Sequence, residues 1–298
     1  MSATADKPPL LEPAFVRRLE RLTLAARRVR MGVSKGERRS KRRGASVEFA
    51  DYRDYVQGDD LRHIDWNVYA RLDELYLKLF EATEDCTLHL IVDASRSMGF
   101  GTPTKLDFAK RLGAAIGYIG LGGYDRVGVT AFAGGETRIM TPMRGKASAR
   151  KLFGFLDALE AEGGTQLEAA CRAHALRKRN PGVTVIISDL LDEGGYADGL
   201  KRLVSARSEL YVVQVLAPEE RDPNLSGDLK LIDCETGHAV EISVSRALLK
   251  QYADNRDQFI QGVRDWCLAR NAGHFLVGSD TPLEELTLDI LRRGGMLK

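Results

Sequence analysis

The chain has 298 residues and a formal net charge of +2, which is enough for one large α/β core and a small additional segment. No run of 18 apolar residues occurs, so we expect no membrane-spanning helix, and the first eleven residues lack the apolar segment of a signal peptide. The four cysteines are scattered without Cys-x-x-Cys spacing, which favours reduced thiols in a cytoplasmic protein over a disulfide framework or a zinc site.

The charge is unevenly distributed along the chain. Residues 17–43 carry a net charge of +10, which leaves −8 for the remainder. A basic segment of this kind suits nucleic acid, an anionic membrane surface, an acidic protein partner, or the acidic body of the chain itself. Proteins that bind single-stranded nucleic acid stack the bases on aromatic side chains. Few aromatic residues lie among the basic residues of this segment. Docking to the chain's own body or to a protein partner is therefore favoured over nucleic acid.

The N-terminal part of the chain has the pattern of an amphipathic helix. Over residues 13–31 the apolar side chains recur at three- and four-residue steps, at Phe15, Leu19, Leu22, Ala26 and Val29. A polar and basic stretch without periodicity follows over residues 34–44 and predicts a loop. We therefore expect a basic helix and loop over 1–43, a block packed on the main domain over 44–84, and the main domain over 85–298.

From residue 75 onward, β-rich runs alternate with helical periods. Strands are predicted at 75–80, 88–93, 126–132, 137–140, 183–188, 209–216 and 274–277, with a hairpin within 229–244. Helices are predicted at 105–120, 147–160, 167–178, 196–207, 246–270 and 281–291. This alternation predicts an α/β fold with a doubly wound, mostly parallel sheet and right-handed crossovers.

The first strand of this domain ends in a motif that carries chemistry. The apolar run Leu88–Val92 is followed by Asp93, Ser95 and Ser97, an Asp-x-Ser-x-Ser pattern. A buried parallel strand would deliver these residues to a loop where their three oxygens can converge. Hard oxygen ligands suit Mg²⁺ or Mn²⁺ rather than zinc. Taken alone the pattern is weak, because Ser and Asp also cap helices at such turns.

Two later segments end at positions that could share this site. Thr165 follows two glycines in a loop, and Asp189 follows the β-branched run 183–187. Ligands collect outside the carboxyl ends of strands in open parallel sheets, so these oxygens are expected near Asp93. The complete set resembles the metal-ion-dependent adhesion site of von Willebrand factor A domains, with Asp93, Ser95, Ser97, Thr165 and Asp189 in the order of that motif.

The resemblance implies a division of roles within the site. The three hydroxyls would bind Mg²⁺ or Mn²⁺, and the two aspartates would act mainly by orienting waters and hydroxyls. Because the hydroxyl ligands are neutral, the ion would keep an open position for an acidic residue of another protein.

The segment before the main domain carries a second resemblance. It contains, in order, Glu48-Phe49, Arg53-x-Tyr55, Gly58-Asp59-Asp60, Arg62, Ile64-Asp65-Trp66 and Ala70-Arg71. Gly58 predicts a turn, and the alternating charges are expected to pair around Trp66. The order resembles the signature block of the bacterial family known as domain of unknown function 58, which precedes a von Willebrand A-like domain. That resemblance implies a cytoplasmic adaptor that acts with a MoxR-type AAA+ ATPase in chaperone-like maturation of a client complex.

Catalysis is the competing interpretation of the metal site. A metal ion beside two carboxylates could hydrolyse phosphate esters. However, the chain has no Gly-x-x-x-x-Gly-Lys-[Ser/Thr] loop, no Gly-x-Ser-x-Gly elbow and no histidine in motif context with Ser95 or Ser97. We therefore expect a metal-dependent protein-interaction adaptor that is not an enzyme. Nucleic-acid binding through the basic segment and a metal-dependent phosphoesterase are the alternatives.

Overall fold

The computed structural model describes residues 9–25, 47–82, 86–177, 182–204 and 208–298. The contacts between residues divide the chain into two compact units, one formed by 1–26 with 86–298 and the other by 27–85. The loop predicted over 34–44 lies outside the described residues, and the domain boundaries predicted from the sequence stay predictions. No helix among the described residues is long and apolar enough to cross a membrane.

From β2 onward the strands and the longer helices follow the order that the sequence pattern predicts, whereas the strand β1 and the helices α2 and α7 were not predicted. In chain order the strands are β1 Val47–Asp54, β2 Tyr76–Ala82, β3 Thr87–Asp93, β4 Arg126–Ala133, β5 Glu136–Arg144, β6 Gly182–Ser188, β7 Ser208–Leu216, β8 Gly227–Ile232, β9 Ala239–Val244 and β10 Gly273–Gly278. The helices are α1 Pro13–Leu19, α2 Trp66–Leu72, α3 Lys105–Gly122, α4 Ala149–Asp157, α5 Leu167–Ala175, α6 Ala197–Leu203, α7 Pro218–Arg221 and α8 Arg246–Leu268, followed by short helical segments within 283–293.

A six-stranded sheet forms the centre of the larger unit. Its order is β10-β7-β6-β3-β4-β5, and all neighbouring strands are parallel except β4 and β5. Every residue of β3 and β6 is buried, as expected for strands covered on both faces. The α/β fold with a doubly wound, mostly parallel sheet is thus confirmed. Because the chain returns past β3 to place β6 beside it, the switch point of the sheet lies between these two strands.

Helices cover both faces of this sheet, and alternate residues of β3 contact different faces. Ile91 belongs to an apolar cluster with residues of α5, α6 and α8, among them Leu167, Leu200 and Val263. Leu90 lies on the other face, where α3 packs close to α4. A Cβ atom added at Gly117 of α3 would lie 2.6 Å from Leu152 of α4, so glycine permits this approach.

The helix predicted over residues 13–31 is wrong in its extent, because α1 ends at Leu19. Its inner face is as predicted, since Phe15 and Leu19 are buried. After the helix, Thr23 exchanges two backbone hydrogen bonds with Lys298, and the N–H of Ala25 donates to the carbonyl of Met296. Pairing with the C-terminal residues therefore replaces the helical hydrogen bonds that the periodic pattern predicts; residues 26–31 lie outside the described part of the chain.

The described start of the basic segment is also tied to the body of this unit by charged side chains. Arg18 pairs with Glu284, and the Glu20 carboxylate accepts hydrogen bonds from Tyr118 and Lys146. These contacts link α1 and its end to α3, to the turn after β5 and to the first of the short helical segments within 283–293.

The smaller unit is an antiparallel pair of strands, β1 and β2, joined by a turn at Gly58 and the helix α2. The Asp65 carboxylate begins α2 by accepting the N–H of Asn67, and it also accepts the hydroxyl of Tyr52. Ion pairs among the described charged residues of this unit include Arg53 with Asp59 and Arg62 with Asp60. Trp66 is 59% exposed in the first turn of α2, where its ring makes an edge contact with Tyr69.

Candidate functional site

The carboxyl ends of β3 and β6 meet at the switch point and bring two buried carboxylates together. Asp93 is the last residue of β3, and Asp189 directly follows β6. Both side chains are fully buried. The Asp93 carboxylate accepts the Ser95 N–H at 2.9 Å and the Ser188 hydroxyl at 2.6 Å. The ends of the two strands are thus joined directly, because Ser188 closes β6 and bonds to the last residue of β3.

The loop after β3 holds two hydroxyls next to each other. The Oγ atoms of Ser95 and Ser97 are 3.1 Å apart, and Ser95 is buried. Two backbone hydrogen bonds tie this loop to the segment before α5, from Arg96 N–H to the Gly163 carbonyl and from Glu162 N–H to the Ala94 carbonyl. These bonds place the Thr165 segment beside the two serines.

Glycine is required where that segment passes the end of β4. Gly163 has a φ of +63°, and a Cβ atom there would lie 2.4 Å from the Cα of Gly134. The close approach is completed by a hydrogen bond of 3.0 Å from Gly134 N–H to the Gly164 carbonyl. The two glycines before Thr165 therefore hold the threonine in place by backbone packing.

A carboxylate from a distant part of the chain lies beside the hydroxyls of Ser97 and Thr165. Glu235 lies in the turn between β8 and β9, and it accepts the Thr165 hydroxyl at 2.8 Å, the Thr165 N–H at 2.8 Å and the Ser97 N–H at 3.4 Å. The neighbouring Cys234 carbonyl accepts a hydrogen bond from Arg96 at 3.1 Å. Ser97 and Thr165 are thus brought together around one carboxylate.

A buried lysine neutralises part of the site. Lys105, the first residue of α3, has a side chain that is 1% exposed, and its ammonium lies 2.7 Å from Asp189 and 2.6 Å from Glu220. Burial by itself would lower the pKa of Lys105, but the two carboxylates outweigh it, and the pKa is raised. Lys105 therefore stays charged. The second oxygen of Asp189 accepts the N–H of Leu191, so both of its oxygens have protein partners.

The charge of the Asp93 carboxylate is poorly stabilised by its surroundings. Burial, and then the nearby charge of Asp189, raise the pKa of Asp93 to about 7, although hydrogen bonds from Ser188 and Ser95 oppose the shift. An added cation at this point would relieve the repulsion between the two aspartates.

The oxygen atoms of the site are hard ligands of the kind that Mg²⁺ prefers. Two pairs of these oxygens are hydrogen-bonded, Ser95 Oγ with Ser97 Oγ at 3.1 Å and Thr165 Oγ1 with Glu235 Oε1 at 2.8 Å. Among the described residues no group of three or more His, Cys, Asp or Glu side chains is arranged to hold a metal. The residues that would hold a metal here are the ones that the resemblance implies, Ser95, Ser97 and Thr165 with their hydroxyls.

Three charged residues of the site were not predicted from the sequence. Lys105 and Glu220 carry a recognisable signal: a lysine at a helix N-terminus opposes the helix dipole, and Glu220 closely follows the carboxyl end of another parallel strand. Glu235 carries none, because its turn was predicted only as part of a hairpin and its contacts are 70 and 138 residues away along the chain.

Comparison with known proteins identifies the family. Residues 51–259 match the family described as "Protein of unknown function DUF58". The chain belongs to this family. Among curated proteins, this DUF58 protein is 31% identical over 248 residues to the Uncharacterized protein Rv1480 of Mycobacterium tuberculosis and to the Uncharacterized protein Mb1516 of Mycobacterium bovis. Each alignment covers 81% of this chain and 78% of the relative.

Solved structures similar to this DUF58 protein include the conserved hypothetical protein BatB of Bacteroides thetaiotaomicron, with 16% identity, a TM-score of 0.42 and coverage of 70% of this chain and 98% of BatB. The SpRpn10 VWA domain has 10% identity and a TM-score of 0.38, and the match covers 66% of this chain and 90% of that domain. The pilus adhesin SpaC of Lactobacillus rhamnosus GG has 11% identity and a TM-score of 0.45, and the match covers 72% of this chain and 30% of SpaC.

Proposed function

We propose that this DUF58 protein is a metal-dependent interaction adaptor that recognises an acidic side chain of a partner protein. The observation that carries the proposal is the position of the Glu235 carboxylate between Ser97 and Thr165. It accepts hydrogen bonds from two backbone N–H groups and one hydroxyl. A pocket with these donors binds carboxylates by charge-assisted hydrogen bonds. The site therefore has the chemistry of a receptor for Asp or Glu.

Mg²⁺ or Mn²⁺ is the proposed cofactor of this pocket. When bound by neutral hydroxyls, the ion supplies a positive charge that attracts a carboxylate. Ser95, Ser97 and Thr165 are the residues that would hold it, while Asp93 and Asp189 provide negative charge behind them. Lys105 places one positive charge between the carboxylates of Asp189 and Glu220, so the metal would balance the remaining negative charge of the site, which includes that of the buried Asp93.

The proposed partner is a MoxR-type AAA+ ATPase, and the proposed role is chaperone-like maturation of a client complex in the cytoplasm. Membership of the DUF58 family and the signature block over residues 44–71 support this assignment. We further propose that the protein performs no chemistry of its own, because its motifs combine hydroxyls and carboxylates for binding without a recognisable nucleophile and base.

Binding to the ATPase tests the proposal. The full-length protein and a MoxR-type ATPase from the same cell are titrated by calorimetry with Mg²⁺, with a chelator, and with the variant Ser97→Ala. We expect the chelator and the variant each to weaken binding by about ten- to a hundredfold, the range of one charge-assisted contact. Ser148→Ala is the matched control, because this serine bonds to the Arg144 carbonyl near the opposite edge of the sheet.

Three results would contradict the proposal. Binding that is equally tight in Mg²⁺ and chelator would place the partner elsewhere on the surface. Metal-dependent hydrolysis of a phosphate ester that is lost in Asp93→Ala would make the protein an enzyme. Tight and steeply salt-dependent binding of mixed-sequence RNA or DNA, lost on deletion of residues 1–43, would favour the nucleic-acid alternative.

A further inference from the structure

We propose that Glu235 is an internal ligand of this site, so that the turn between β8 and β9 must leave before the acidic side chain of a partner can enter. This inference rests on the proposed function, since it takes the Ser97–Thr165 pocket as the place where a partner binds. It adds a regulatory element from within the chain, the hairpin Gly227–Val244.

The contacts of Glu235 use the donors that a partner carboxylate would need. One oxygen accepts the Thr165 hydroxyl and the Ser97 N–H, and the other accepts the Thr165 N–H. Each of these groups has a single hydrogen to donate. A second carboxylate could therefore bind in the same way only after Glu235 has withdrawn, and the two occupants exclude each other.

The turn that carries Glu235 is shaped by its own hydrogen bonds. Asp233 accepts the N–H groups of Glu235 and Thr236 through its carboxylate, and its backbone bonds to His238 and Gly237. The turn therefore keeps its shape independently of the pocket and presents Glu235 as a preformed ligand, which lowers the entropic cost of binding.

The rest of the hairpin is held weakly to the body. No residue from Gly227 to Val244 is fully buried. Leu229, Ile242 and Val244 are partly buried, whereas Leu231, Ile232 and Val240 are each about half exposed or more. A two-stranded hairpin without a hydrophobic face against a core is marginally stable by itself. The contacts at its turn, made by Glu235 and by the Cys234 carbonyl with Arg96, therefore contribute much of what keeps it in place.

The hairpin competes with a partner carboxylate for the Ser97–Thr165 pocket, and it is favoured because it belongs to the same chain. A ligand on the same chain acts at an effective concentration of order millimolar, so it suppresses binding of partners with moderate affinity. Removing the Glu235 carboxylate should open the pocket and raise the affinity for an added carboxylate ligand.

The first experiment measures hydrogen exchange of the hairpin in the full-length protein without added metal. We expect amides within 227–244 to exchange about tenfold faster in Glu235→Ala than in the wild type, because charge-assisted hydrogen bonds at the turn are lost. Glu241→Gln is the control, since Glu241 is an exposed residue of β9 on the same hairpin. Equal exchange in the two variants would overturn the proposal.

The second experiment supplies the ligand from outside. A fluorescent synthetic peptide of residues 227–244 is titrated by anisotropy against wild type and Glu235→Ala. We expect at least about tenfold tighter binding to Glu235→Ala than to the wild type, and weaker binding of the same peptide carrying Glu235→Gln. Equal binding of the peptide to both proteins would contradict the inference.

The two proposals fail in different ways. If Glu235→Ala opens the hairpin and binds the peptide but no MoxR-type ATPase binds, the internal ligand stands and the proposed partner is wrong. If the ATPase binds in a metal-dependent way and Glu235→Ala leaves its affinity unchanged, the adaptor function stands and the internal ligand is wrong.

Discussion

The inner and outer halves of the site differ in their access to water. The inner half consists of Asp93, Asp189 and Lys105, whose side chains are at most 1% exposed. The outer half consists of Ser97, Thr165 and Glu235, which are only partly buried. Both halves are made of polar groups at the same edge of one sheet, so burial, rather than residue type, separates them.

This difference predicts separate roles. A buried charge that loses its partner cannot recover the energy by hydration, and the cost is several kcal/mol. A partly exposed group can exchange a protein partner for water or for another ligand at much smaller cost. We infer that the inner half fixes the stability and charge of the site, whereas the outer half exchanges ligands. The predictions below test this division.

Lys105→Met should cause the largest loss of stability. The substitution keeps the apolar stem and removes the ammonium between Asp189 and Glu220, which leaves the fully buried Asp189 without its cation. We expect the free energy of unfolding to fall by about 3–5 kcal/mol, measured by urea denaturation in chelator. Lys151→Met, at an exposed position of α4, is the control and should change little. A loss of similar size in both variants would remove the distinction between the buried lysine and a surface one.

Mg²⁺ should produce the next largest effect, through the inner aspartates. Binding to the folded state alone raises the free energy of unfolding by about 2.7 kcal/mol at a hundredfold excess over Kd. We expect this stabilisation in the wild type and its loss in Asp93→Asn, which removes the charge that the metal would balance. Asp198→Asn, at an exposed position of α6, should respond to Mg²⁺ like the wild type. Full stabilisation of Asp93→Asn by Mg²⁺ would separate this residue from the metal site.

Sequence reasoning located the two aspartates of the inner half and the hydroxyls of Ser97 and Thr165 in the outer half, but neither Lys105 nor Glu235. Asp93 and Asp189 end apolar runs of β3 and β6, and a doubly wound order brings such strand ends together without knowledge of any side-chain contact. The same pattern placed the strands of the central sheet within a few residues of their observed bounds. These features depend on local periodicity and on topology, which the sequence carries directly.

The features missed by sequence reasoning depend on contacts between distant residues. The helix predicted over 13–31 ends early because Thr23 pairs with Lys298, at the other end of the chain. Glu235 reaches Thr165 across 70 residues, and nothing in the sequence of its own turn distinguishes it from other acidic residues. Periodicity cannot predict such pairings, because they depend on where the packed elements finally lie.

Thr165→Val should affect stability less than Lys105→Met or Mg²⁺ does. The substitution preserves the shape of the side chain and the N–H that donates to Glu235, and removes only the hydroxyl donor. We expect a loss of about 1 kcal/mol in the free energy of unfolding by urea denaturation, together with faster hydrogen exchange over 227–244.

Arg96→Ala is the comparison for that prediction. The exposed Arg96 holds the same turn through the Cys234 carbonyl, which water can bond once the side chain is gone. We therefore expect a stability change within about 0.5 kcal/mol and a smaller increase in hairpin exchange than in Thr165→Val. A larger increase in hairpin exchange in Arg96→Ala than in Thr165→Val would contradict this division. The turn would then be held mainly by the Cys234 carbonyl, and the Ser97–Thr165 pocket would not be the part of the outer half that selects a ligand.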